Sequence, residues 1–127
     1  MEFLLQILVG LASLMLTGLG TVSMFAPARM VKNFAIEPIG VAGLSTIRSV
    51  IGGFFLASVA LLIIGLTTGQ TLAFVAVAIF MGVTAFGRIV GLMLDGFDKA
   101  VIPPLLVELV IIAVLLTAYS HSAAIIV

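Results

Sequence analysis

The chain has 127 residues, of which 64% are hydrophobic and 8% charged, and its formal net charge is zero. Soluble domains carry about a quarter charged residues, and a body of this size surrounded by water has too much surface for its volume to hide so much apolar side chain. A soluble globular domain is therefore excluded; no basic run points to nucleic acid, and the lack of cysteine removes disulfides and thiolate metal sites.

Four apolar runs follow in order, roughly Phe3–Phe25, Leu44–Leu66, Thr71–Leu94 and Val101–Tyr119. Each is near the roughly 20 residues that a helix needs to cross a hydrocarbon core of about 30 Å. Helices are expected because backbone groups in lipid must be satisfied within the segment. None of the runs alternates polar and apolar residues as barrel strands do.

The first run precedes Ala26-Pro27-Ala28, which looks like a small-residue cleavage site. However, Met1-Glu2 lacks a positive n-region, and the run is longer than the about 7–15 residues of an h-region, so it reads as a retained helix. Along it Gln6, Gly10, Ser13, Thr17 and Thr21 form one small or polar face. Such a face suits close helix packing, with hydroxyls bonded back onto the preceding turn; lining a pore is the other use open to it.

The first connection, residues 26–43, is the longest and holds Pro27, Arg29, Lys32, Glu37 and Pro38. Residues 29–34 suggest a short interfacial helix with Met30, Val31 and Phe34 toward lipid and Lys32 toward the head groups. The second run carries Arg48, with Ser49, Gly53 and Ala57 four apart. A tight uncharged turn, Thr67-Thr68-Gly69-Gln70, leads into the third run, which carries Arg88 between Gly87 and Gly91. Gly53, Gly87 and Gly91 match the close-approach pattern of membrane helices. A charged turn, Asp95-Gly96-Phe97-Asp98-Lys99, precedes Pro103-Pro104 at the start of the fourth run, where proline is tolerated. Short links imply an all-α, integral membrane, up-down-up-down four-helix bundle, a single domain over residues 1–127.

Arg48, Arg88 and Glu108 fall inside apolar runs. Counted from the run ends at about 1.5 Å per residue, all three lie roughly 6–10 Å below one surface. Ionised groups in the membrane normally face the interior and pair, and guanidinium suits bidentate pairing with carboxylate. Glu108 is thus expected to hold Arg48 and Arg88 in one cluster. Asp95, two turns past Arg88 on the same face, could share Arg88, and Glu37 is a further candidate partner. The cluster either fixes helix order and register or binds an anionic lipid head group or a translocated ion. Tyr119 reads as an interface anchor and His121 as a solvated residue. No two-histidine pattern, glycine-rich loop or nucleophile–base pair is visible, so no catalytic residue, metal site or cofactor is expected.

Arg29, Lys32 and Lys99 place the first and third connections on the cytoplasmic side of an inner membrane, with both termini outside. The segments Ile47-Arg48-Ser49-Val50-Ile51-Gly52-Gly53-Phe54-Phe55-Leu56-Ala57 and Gly87-Arg88-Ile89-Val90-Gly91-Leu92-Met93-Leu94-Asp95-Gly96, with Glu108 in the last helix, resemble the family called domain of unknown function 4345. That resemblance implies a small bacterial four-helix membrane protein without an established activity. The family pattern places an acidic residue just before the arginine of the second helix; here Ser45 and Thr46 stand there, leaving the partner of Arg48 open. Small multidrug transporters differ by a membrane glutamate in their first helix, which this chain lacks.

Two function classes follow. One is a non-enzymatic scaffold or accessory module that packs in the bilayer with itself or another membrane protein. The other is a small transporter or channel using the intramembrane charges. A membrane enzyme is disfavoured, because His121 lies at the opposite surface from Asp95 and Glu108.

Overall fold

The computed structural model describes residues 2–126, with side chains described through Ser122. Helix α1 is Phe3–Phe25 and is followed by a 3-10 turn, Pro27–Met30, and the single-turn α2, Val31–Phe34. One continuous helical rod covers Gly40–Thr68: α3 (Gly40–Thr46), a π-helical segment (Ile47–Gly52) and α4 (Gly53–Thr68). Helix α5 is Leu72–Leu94 and α6 is Ile102–Ile126, the latter entered through a 3-10 turn at Lys99–Val101. No strand occurs among the described residues.

Four of these helical stretches are long and apolar enough to cross a membrane, as a multi-pass protein requires. Between 22% and 28% of the most apolar window of each is buried inside the chain. The remainder presents large apolar side chains outward, among them Leu14, Ile79, Phe86 and Val110. Water would penalise that surface, whereas acyl chains accept it.

The expected helix positions hold, with differences at the ends. The second rod begins at Gly40, before the expected Leu44, and α6 runs past Tyr119 to Ile126. The extensions hold glycine (Gly40 and Gly43) or polar residues (Ser120, His121 and Ser122) that interrupt an apolar run without ending a helix. The π segment has no signature in the sequence, because apolar residues surround it on every side.

The chain divides into two compact units, Gly10–Ile63, and Met1–Val9 with Ile64–Val127. Both divisions fall inside helices. Within Gly10–Ile63, α1 runs antiparallel to the second rod. A Cβ on Gly20 would lie 2.8 Å from Leu56, and one on Gly52 would lie 3.0 Å from the main chain of Met24. Phe34 stacks on Phe55 at 6.1 Å between ring centroids, and Met30 is buried. The segment 29–34 therefore folds inward at Met30 and Phe34, which were expected to face lipid; Lys32 is exposed, as expected. Phe34 gains aromatic contact with Phe55 by doing so.

Within the other unit, α5 and α6 form a hairpin. Phe74, Val77, Met81 and Ala85 line one stripe of α5, and Leu105, Ile111, Leu115 and Ala118 one stripe of α6. The ring of Phe74 covers Gly65 so closely that a Cβ there would sit 2.5 Å from it. The turn ahead of α5 is closed by Ala73 N donating to the Gln70 carbonyl and Phe74 N to that of Thr71.

Candidate functional site

Arg88 continues the buried stripe of α5 by one further turn, and Glu108 lies in the buried stripe of α6. Arg88 is six residues before the end of α5 and Glu108 six after the start of α6, so each lies about 9 Å along its helix from the joining loop. Equal depth on facing helices brings them together. Arg88 Nε donates to both oxygens of Glu108, at 2.8 Å to Oε1 and 3.0 Å to Oε2. This is one N–H shared between two oxygens, not the two-pronged fork that the residue types suggested.

Glu108 is the more buried partner: its side chain is 11% exposed against 34% for Arg88. Glu108 is thus held chiefly by Arg88, whereas the outer edge of the guanidinium reaches the surface of the chain. This is the one ion pair among the described residues. An intramembrane charge costs several kcal/mol by insertion scales, and mutual neutralisation at hydrogen-bond distance is the economical answer.

Asp95 does not join the pair. It follows the last residue of α5, is exposed, and donates its backbone N–H to the Gly91 carbonyl. Its carboxylate folds over Gly91, 3.7 Å from where a Cβ would be, while the hydrogen bonds that Arg88 makes among the described residues all go to Glu108.

Arg48 belongs to the Gly10–Ile63 unit and has a different partner. Its Nη1 donates to the Met24 carbonyl at 2.6 Å. Met24 is in the last turn of α1, where carbonyls lack an intrahelical partner, so Arg48 caps α1, and its positive charge suits the negative end of that helix. No carboxylate is needed for this. Ser45 and Thr46 take part in bonds within the helix: Thr46 Oγ1 donates to the Ala42 carbonyl, and the Ser45 carbonyl accepts from Ser49 Oγ.

Arg48 lies close to the end of α1. Gly52 opposite Met24, and Leu56 opposite Gly20, place the end of α1 level with about residue 51. The second rod has 29 residues, about 43 Å against a hydrocarbon core of about 30 Å. Gly40–Val50 therefore extends past the end of α1, and Arg48 stands level with that end.

A family model described as domain of unknown function (DUF4345) matches residues 4–119. The chain belongs to this family. No curated protein and no solved structure matches it. In this DUF4345 chain the two arginines of the resembling segments thus do different work, one closing an ion pair and one capping a helix.

The polar face of α1 is divided. Ser13 is buried, Gly10 and Thr17 are half-buried, and Gln6 and Thr21 are exposed. Thr17 Oγ1 donates to the Ser13 carbonyl at 2.7 Å, one turn back. The buried line runs instead through Leu5, Val9, Ser13, Leu16, Gly20 and Ser23. Ser23, which the sequence reading passed over, is fully buried and donates to the Leu19 carbonyl.

The glycines also exchange roles. Gly53 and Gly87 are not points of close approach within the chain, since a Cβ on either would meet nothing within 4 Å, and Gly91 would meet only Asp95. Close approach occurs at Gly20, Gly52 and Gly65. Spacing by four identifies a small-residue face but not which face meets a neighbour.

Proposed function

We propose that the chain is a non-enzymatic membrane module that associates with a second copy of itself or with another multi-pass membrane protein. The open backbone at Gly87 carries this reading. Gly87 is exposed, has free space where a Cβ would be, and lies one turn from Gly91 on the membrane-length α5. Small residues at such spacing let membrane helices approach closely. The closed Arg88–Glu108 pair supports a structural use of the intramembrane charge and weighs against a transporter or channel, which needs that charge free for its solute. By the distribution of Arg29, Lys32 and Lys99 we place the protein in an inner membrane with both termini outside.

The test is native mass spectrometry of protein released directly from membranes. An oligomer or a stoichiometric companion is expected, and Gly87→Leu should disperse it while leaving the chain folded. A strictly monomeric species would remove the reading.

A further inference from the structure

We propose that Arg29, Lys32 and Arg48 form a site for the phosphate group of an anionic phospholipid. The zero net charge of the chain conceals a division. The Gly10–Ile63 unit has these three cations against Glu37 alone, a net of +2; the other unit has Arg88 and Lys99 against Glu2, Asp95, Asp98 and Glu108, a net of −2. All three cations are exposed. In the other charged connection, Lys99 stands beside two carboxylates and offers an anion no excess of positive charge.

Position and chemistry agree. Arg48 is fixed at the end of α1 by its bond to the Met24 carbonyl, and Arg29 follows in the 3-10 turn directly after that helix end. The acceptor for Arg48 is a main-chain carbonyl engaged by Nη1 alone, so the other N–H groups of the guanidinium remain for an anion. Lys32 lies on α2 immediately beyond. In the same part of the chain Phe25, Ile36, Ile39 and Val41 are exposed, 71%, 41%, 89% and 84% respectively. Exposed apolar side chains interleaved with cations at a helix end fit the boundary between head groups and acyl chains. Guanidinium suits phosphate oxygens in geometry as well as charge. A free phosphate ion shares the charge chemistry but gains nothing from the four apolar side chains, which favour a lipid.

The test uses the full chain in nanodiscs of equal parts phosphatidylglycerol and phosphatidylcholine, with retained lipids read by native mass spectrometry. Phosphatidylglycerol should be retained preferentially. Arg29→Gln and Lys32→Gln should each lower that preference about fivefold, the effect of one basic residue near an anionic surface, and Lys99→Gln should leave it unchanged. Arg48→Lys, which keeps the charge at the boundary, should preserve it. Arg29 and Lys32 are both exposed, so neither variant removes a packed side chain and the test does not depend on a damaged fold. Equal retention of the two lipids, or an equal loss with Lys99→Gln, overturns the proposal. Displacement of phosphatidylglycerol by millimolar inorganic phosphate would assign the site to the soluble ion and overturn it too.

Discussion

Removing one partner of the Arg88–Glu108 pair strands the other, and the two removals should not cost the same. Breaking a buried ion pair typically costs about 3–5 kcal/mol, because the survivor keeps its desolvation penalty. Arg88 is a third exposed and has a long side chain that can reach toward the head groups. Glu108→Gln should therefore cost less than the full figure, about 1–3 kcal/mol. Arg88→Gln leaves a carboxylate that is 11% exposed on a short stem, and should cost about 3 kcal/mol or more. The double variant should recover part of the loss, with a coupling of about 1–3 kcal/mol. Thermal or denaturant unfolding in one fixed detergent measures all four corners of the cycle. Additive effects, or Glu108→Gln costing more than Arg88→Gln, would refute the assignment of the pair and of its more buried member.

Glu37→Gln, in an exposed loop, should stay within about 0.5 kcal/mol of the parent by the same unfolding assay. Gly65→Ala drives a methyl into the Phe74 ring and should destabilise by about 1–3 kcal/mol, whereas Gly87→Ala meets open space and should stabilise the isolated chain by up to about 1 kcal/mol through helix propensity. Ala35 ends α2 in the left-handed region at φ 55°, with Ile36 N closing onto the Val31 carbonyl. Ala35→Gly should relieve that strain and raise stability by about 0.5–1 kcal/mol net of the added freedom of the unfolded chain, read as a higher melting temperature.

Much of this arrangement was legible in the sequence, for identifiable reasons. The four helices follow from run length, and α1 was bounded to the residue because Phe3 and Phe25 are flanked by polar or helix-breaking neighbours. The Arg88–Glu108 pair followed from equal distance to one short loop, a constraint that a hairpin enforces. Arg48 looked equivalent because it too is a lone arginine near the end of an apolar run. Its partner is a main-chain carbonyl, which no pattern of side chains can announce. The glycines failed in the same way. Gly20, Gly52 and Gly53 are alike in sequence, and only the packing decides that the first two lie beneath α1 or α4 side chains and main chain while the third faces outward.

The π segment at Ile47–Gly52 gives this rod one place where its length can change without a change of angle. A π turn takes up an extra residue relative to an α-helix, so the α-helical stretches on either side keep the phase of a regular helix one residue shorter. Arg48 and Gly52, four residues apart, face Met24 together. Deleting one residue within Ile47–Gly52 would close the segment into regular α-helix and leave Gly40–Thr46 in nearly its present orientation. Deleting one residue from α4 between Gly52 and Leu56, where no extra residue is stored, would instead turn Gly52 and Arg48 about 100° away from Met24.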